Sequence, residues 1–188
     1  MTQRDLFSGP SFARGYAYEP DFLSAAEEAT LVRHIQDLPL AEAQYKEWLA
    51  KRRIVSYGGR YDFSAQRLQA GEPIAPFLHP LRLRAAAWTG VAADDFTHAL
   101  VAQYPPGTQL GWHRDVPDFE LVVGISLMGA CQMRFRPYPH KHREKSISID
   151  IAPRSIYRLE GEARWDWQHR VPPVPGLRYS ITFRTLRK

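Results

Sequence analysis

The 188-residue chain reads as an α+β protein, mainly β: a jelly roll with two N-terminal helices packed on one side. Three observations carry that reading. Two helical patterns fall before residue 90. From His98 onward the chain breaks into eight short β-rich runs separated by turn formers. The last of these, Leu177-Arg178-Tyr179-Ser180-Ile181-Thr182-Phe183-Arg184, alternates cleanly, with Tyr179, Ile181 and Phe183 on one face and Arg178, Ser180, Thr182 and Arg184 on the other. Eight short antiparallel strands fit two stacked sheets, and helices that precede them suit one side of an antiparallel core.

In chain order, residues 1–18 mix Gly and aromatics without periodicity and read as a surface arm. Residues 23–35 form the best helix. Ser24 is its N-cap, Glu27 three residues on completes a capping box, and Ala29, Val32 and Ile35 make an apolar stripe with His34 at the surface. Residues 41–50 fit helix or strand. The run Arg53-Ile54-Val55-Ser56-Tyr57 is a strand closed by Gly58-Gly59. Residues 76–89 form the second helix, with Phe77, Leu78, Leu81, Leu83 and Ala87 inward, Arg82 and Arg84 outward, and Gly90 ending it. The expected strands then fall at about 98–104, 109–115, 120–128, 131–136, 146–151, 155–159, 165–170 and 177–184, by their period-two patterning.

Composition excludes several classes. Hydrophobic content of 44% and charged content of 24% are those of a globular chain, neither disordered nor fibrous. Cys131 is the one cysteine, so an intramolecular disulfide is impossible. It opens an apolar run, where a buried, inert thiol is expected. No run approaches a membrane span and the N-terminus lacks a signal pattern, so the expectation is a cytoplasmic protein with no membrane partner. A net charge of +5 suits a polyanionic partner without requiring one.

The chemistry is concentrated in Gly111-Trp112-His113-Arg114-Asp115. On a strand, His113 and Asp115 would share a face and could converge on one metal ion. Such a pair alone is common, and a site needs a third ligand. His169, in Trp165-Asp166-Trp167-Gln168-His169, supplies one. Two His and one Asp with open positions make the facial triad of non-heme Fe(II) oxygenases. The polar face of residues 178–184 holds two arginines, which need carboxylate partners if buried. A small dicarboxylic acid would meet that need. His140-x-His142 is a rival pair, but it lies among cations in a Pro-flanked loop, where a solvated loop or a phosphate contact fits better.

Tyr104-Pro105-Pro106-Gly107, His113-x-Asp115, Val123-Gly124-Ile125-Ser126-Leu127, Trp167-Gln168-His169 and residues 178–184 follow one another over roughly residues 96–186. In that order they resemble the AlkB-like Fe(II)/2-oxoglutarate-dependent dioxygenases. The resemblance implies the double-stranded β-helix form of the jelly roll in one domain, with helices and a substrate lid over 1–95 and the catalytic core over 96–188. It implies Fe(II) on His113, Asp115 and His169, with 2-oxoglutarate as co-substrate and O2 as oxidant. Tyr104, Arg178, Ser180, Thr182 and Arg184 would line the co-substrate's place, Arg178 on its distal carboxylate and Arg184 toward the metal. Ala102 and Ser180 stand where the family has Asn.

The resemblance further implies oxidative demethylation of alkylated bases, with single-stranded DNA or RNA as partner and a monomeric enzyme. The alternatives are the same chemistry on a protein side chain or small molecule, and a non-catalytic jelly-roll binding module. Substrate contacts would come from Arg53, Tyr57, Tyr61 and Phe63 of the lid and from Asp118, the acid nearest the metal Asp after Val116-Pro117. The bland readings stand beside these: a solvated face for residues 51–53, and core packing for Tyr61 and Phe63.

Overall fold

The computed structural model describes residues 12–45, 48–62, 67–141 and 145–188. In chain order these form β1 (Tyr16–Glu19), α1 (Ala25–Gln36), β2 (Ala41–Tyr45), β3 (Trp48–Tyr57), β4 (Arg60–Asp62) and β5 (Arg67–Gln69), then α2 (His79–Thr89). After these come β6 (Phe96–Tyr104), β7 (Leu110–His113), β8 (Phe119–Leu127), β9 (Cys131–Pro137), β10 (Ile147–Ile151), β11 (Ile156–Leu159), α3 (Gly161–Trp165), β12 (Trp167–Val171) and β13 (Arg178–Leu186). Seven strands make one sheet, ordered β1-β11-β8-β13-β6-β3-β2, and four make a second, β10-β9-β12-β7; β4 and β5 pair alone. The neighbouring strands are antiparallel. The two stacked sheets are the expected jelly roll.

Period-two alternation divides the apolar side chains into two cores. On the seven-stranded sheet, Ala99 and Val101 of β6, Leu121, Val123, Ile125 and Leu127 of β8, and Tyr179, Ile181 and Phe183 of β13 face the helices. Leu31 and Ile35 of α1 and Leu81, Ala85 and Ala86 of α2 cover them. The opposite parity, with Ala102 and Tyr104 of β6 and Val122 of β8, meets Cys131, Met133, Phe135, Ile149, Ile151 and Val171 from the four-stranded sheet. Cys131 is buried and free, and burial pushes its thiol up, as an inert core residue requires.

Both helices lie where expected, with corrected faces. The capping box of α1 is complete: Ser24 Oγ accepts from Glu27 N at 3.2 Å, and Glu27 Oε2 accepts from Ser24 N at 2.7 Å. Its buried stripe is Leu31 and Ile35, spaced i, i+4, while Ala29 is exposed. In α2 the buried set is Leu81, Ala85 and Ala86, and Leu83 is 62% exposed. A helix entered through a 3-10 turn at Pro76–Leu78 has its phase set by Leu78 and Leu81, which turns Leu83 to solvent. Gly90 closes α2 at φ 80°, the left-handed conformation glycine adopts freely. Residues 41–45 and 48–57 form the β2–β3 hairpin, so tertiary pairing overrides the helical composition there. Tyr16–Glu19 joins the sheet as β1, although a surface arm is the sequence expectation.

Gly124 is a close approach that matters for the site. It pairs with Tyr157 on β11 and Thr182 on β13, and a Cβ added there would clash with the Tyr157 ring at Cζ, Oη and Cε1. Because Tyr157 is 7% exposed and lines the cavity described below, Gly124→Ala should displace that ring. The expected loss is about 1–3 kcal/mol, the usual range for overpacking, read as a lower urea midpoint with an unchanged m-value.

Candidate active site

The space between the sheets is a cavity whose floor is the inward face of the seven-stranded sheet. Arg178, Ser180, Thr182 and Arg184 of β13 line it with Leu100, Ala102 and Tyr104 of β6. Register accounts for the arrangement: Arg178 lies opposite Tyr104, Ser180 opposite Ala102, Thr182 opposite Leu100 and Arg184 opposite His98. Small side chains sit mid-floor and guanidiniums at either end. The four-stranded sheet closes the cavity with Leu110, His113, Met133, His169 and Val171.

His113, Asp115 and His169 come together, with one ligand atom from each lying within 4.8 Å of the others. His113 and His169 face each other across the β7–β12 pair, ring centroids 4.2 Å apart. The register slips by one residue between this pairing and Val171–Leu110. That bulge lets Leu110 and His113 both point inward, three residues apart. Such slips commonly re-aim side chains beside active sites. The Gly111 carbonyl lies 2.8 Å from His113 Nδ1. When Nδ1 carries the proton it donates there, leaving Nε2 for a metal.

Asp115 is placed differently from expectation. β7 ends at His113, so Asp115 lies on the following loop and strand alternation does not aim it. Arginines hold it instead. Arg184 donates from Nε and Nη2 to Asp115 Oδ1, both at 2.7 Å, which leaves Oδ2 facing His169 Nε2 at 3.9 Å. Arg164 of α3, 2% exposed, brings Nη2 to the carbonyls of Asp115, Val116 and Phe119 at 2.8–3.0 Å. Arg114 Nη1 donates to the Trp165 carbonyl at 2.8 Å. The one-turn helix α3 thus pins the metal loop at both ends.

Electrostatics set the protonation states a metal needs. Burial would raise the Asp115 carboxyl, but the Arg184 guanidinium against it holds it well below the usual carboxylate range. Burial depresses His169 to about 3 and lowers His113, so both imidazoles are neutral at physiological pH. One carboxylate and two neutral imidazoles are the donor set of a non-heme Fe(II) site. The residues also fit a dicarboxylate. Arg178 is 1% exposed, donates from Nε to Ser126 Oγ at 3.0 Å, and lies 4.9 Å from the Tyr104 ring centroid. Among the described residues no carboxylate pairs with it, so a bound distal carboxylate would supply the counter-charge that burial demands.

Arg52 and Arg164 carry roles that sequence reading missed. Arg52 of β3 lines the cavity, and its Nη1 donates to Tyr104 Oη at 3.4 Å. Burial opposes ionisation of the Tyr104 phenol, but Arg52 and Arg178 outweigh it and lower the group. Arg53, expected at the substrate, faces the other way and donates from Nη2 to the Leu40 carbonyl at 2.8 Å. Tyr57 packs on the helix-side core and does not line the cavity. The shared parity of Arg53, Val55 and Tyr57 was the available signal. Asp118 stays on the loop outside the cavity, its carbonyl accepting from Arg187 N at 2.8 Å. Phe63 and the Tyr61 side chain lie outside the described residues, as does His142 of the rival pair; His140 is exposed.

Because Arg164 orients the loop rather than the metal, Arg164→Gln should leave the three ligands in the chain but loosen Asp115. Metal affinity should fall by about 10- to 100-fold, as for other outer groups that orient ligands, in anaerobic Fe(II) or Mn(II) titration calorimetry. Unchanged affinity would show that Asp115 is placed without it.

Comparison with known proteins agrees with this geometry. Residues 15–184 match the model of the 2OG-Fe(II) oxygenase superfamily. The chain is 30% identical over 178 residues to the alkylated DNA repair protein ALKBH8 homolog of Arabidopsis thaliana, covering 81% of this chain and 49% of the relative. It therefore spans about half of that protein's length. It is 34% identical over an alignment of 196 residues to the uncharacterized protein L905 of Acanthamoeba polyphaga mimivirus, covering 93% of this chain and 86% of that protein. Among solved structures, OsALKBH1 superposes with a TM-score of 0.69 at 15% identity, over 94% of this chain and all of that one. A Pseudomonas putida prolyl-4-hydroxylase superposes with a TM-score of 0.63 at 15% identity, over 93% of each chain. These structural likenesses show the shared jelly-roll fold. The family match, covering nearly the whole sheet sandwich and its metal-ligand set, places the chain in the 2OG-Fe(II) oxygenase superfamily, as a dioxygenase that uses Fe(II), 2-oxoglutarate and O2.

Proposed function

We propose that this dioxygenase removes N-linked alkyl groups from bases in single-stranded nucleic acid, releasing formaldehyde, succinate and CO2. The observation that carries this reading is an excess of positive charge in the cavity. Iron would be balanced by Asp115 and the keto-acid carboxylate, and Arg178 by the distal carboxylate. Arg184 and Arg52 are then left over, and Arg52 is half-buried beside Tyr104. A substrate that brings its own negative charge, such as the phosphate next to a base, meets that excess. The named role of the Arabidopsis relative in repair of alkylated DNA supports the same substrate class.

Iron held here would activate O2 to hydroxylate a C–H bond, with 2-oxoglutarate giving up two electrons as it is converted to succinate and CO2. His113, Asp115 and His169 would hold the metal, and Arg184 keeps Asp115 charged and aimed. Arg178, fixed by Ser126 and Tyr104, would receive the distal carboxylate as a geometrically selective partner. Leu110, Val122, Met133, Leu159 and Val171 line the walls and exclude water from the reacting centre. Hydroxylation of an N-methyl carbon gives a hemiaminal, whose C–N bond breaks to release formaldehyde and restore the base. A base inside a duplex must be flipped to reach such a cavity, whereas a single strand offers it directly.

The reading is tested by succinate release from Fe(II)-loaded protein with N-methylated and unmethylated single-stranded oligonucleotides. Stimulation by the methylated strand alone, with stoichiometric formaldehyde, is expected; unstimulated release would move the substrate to a protein side chain or small molecule. Arg52→Gln should raise KM for the oligonucleotide about tenfold and leave KM for 2-oxoglutarate within about twofold, the loss of one charge-assisted contact. Arg178→Ala should do the reverse, raising the 2-oxoglutarate KM by about 100-fold or more while iron affinity is retained.

A further inference from the structure

The outer face of the four-stranded sheet carries charge that the fold does not use. Inward residues of β9 and β12 alternate with Gln132, Arg134 and Arg136 and with Gln168 and Arg170. The register sets Arg170 directly opposite Arg134, and Gln168 opposite Arg136. Like charges directly opposite each other destabilise a sheet, so folding gains nothing from that pair. Among the described residues none of the three arginines meets a carboxylate; Asp150 lies beside Gln132 on the outer strand. The helices α1 and α2 pack on the other sheet.

The arginines are held in place rather than free. Arg136 Nε donates to Gln168 Oε1 at 2.9 Å, and Arg134 Nε donates to Gln132 Oε1 at 3.1 Å. The β7 bulge turns Trp112 outward, with the guanidiniums of Arg136 and Arg170 at 4.3 and 5.4 Å from its ring. From Arg136 the surface continues to Tyr138, under Arg114 at 3.7 Å, and Arg114 adjoins Asp115. A line of cations interleaved with aromatic rings therefore runs along the sheet and ends at the metal loop. Spaced, pre-ordered guanidiniums with aromatic partners suit a chain of phosphates and bases.

We propose that this face is the docking track for the nucleic-acid strand on one side of the reacting base, with Arg134, Arg136 and Arg170 on successive phosphates. The proposal rests on the nucleic-acid reading of the active site and adds where the polymer lies. It predicts that strand length matters. A methylated 20-mer engages the track, whereas a methylated nucleoside reaches only the cavity.

The test is fluorescence anisotropy of a labelled single-stranded 20-mer on the whole protein across a salt series, beside succinate release with the 20-mer and with the methylated nucleoside. Arg134→Gln/Arg136→Gln should weaken binding about tenfold or more and reduce the slope of log K against log salt by about 1.4, two single-strand phosphate contacts at ~0.7 each. Its KM for the 20-mer should rise while turnover of the nucleoside is unchanged, which also shows that the variant is folded. The exposed pair Arg33→Gln/Lys188→Gln removes the same charge elsewhere and should have little effect. If the track variant binds like the parent, or the control pair weakens binding equally, the track is overturned while the demethylase reading stands. Equal binding of polyglutamate would assign the face to an acidic protein and overturn the nucleic-acid track. A parent protein that neither binds the 20-mer nor turns over the methylated nucleoside would overturn both readings.

Discussion

The pair between Asp115 and Arg184 is the constraint on which the site depends. Asp115 follows a strand of one sheet and Arg184 lies on the central β13 of the other, so their contact ties the two layers together at the metal. A carboxylate with 7% side-chain exposure would take up a proton or resist burial without such a partner. Buried pairs of this kind add little net stability against an apolar alternative, but removing one partner is strongly destabilising. Their value here is positional. Arg184 occupies Oδ1 with two donors, and the remaining oxygen faces His169.

The rest of the cavity follows from what β13 and its neighbours can leave out. Side chains of Ala102, Ser180 and Ser126 fall in one row across β6, β13 and β8, and Gly124 opposes Thr182 in the next. A jelly roll fills its interior with side chains by default. Four small residues in two adjacent rows leave room between the sheets, and the two guanidiniums of β13 bound that room at its ends. Substitution of a large apolar residue in these rows would turn the cavity into ordinary core.

Much of this was legible because alternation is a strong signal. The sorting of residues 178–184 into a core face and a polar face held residue by residue, as did the capping box at Ser24. What failed did so for identifiable reasons. Arg53 is the residue the sequence points to, although Val55 and Tyr57 share its parity; the apparent strand starting at Arg53 in fact begins at Trp48, which puts Arg52 on the cavity face. Asp115 looked like a strand residue because His-x-Asp has the right spacing, yet the strand ends before it. The contacts of Arg164 lie 45–49 residues away along the chain, and no local pattern marks them. The phase of α2 was lost because Leu83 is apolar but not inward.

The four-stranded sheet shows how one short strand can serve two tasks. Along β12 the order is Gln168 outward, His169 inward and Arg170 outward; along β7 the bulge gives Trp112 outward and His113 inward. The inward parity is constrained by metal geometry and by the packing of Met133, Phe135 and Val171, where a single methylene is felt. The outward parity faces no such demand, since side chains there meet water and one another. Polymer recognition placed on that face is one strand's thickness from the ligands yet free to change without disturbing them. On the proposed nucleic-acid reading, the cavity lining must instead satisfy the reacting base itself. On the docking-track proposal, separating the two would let the same oxygenase core select the base at the mouth and the strand along its back.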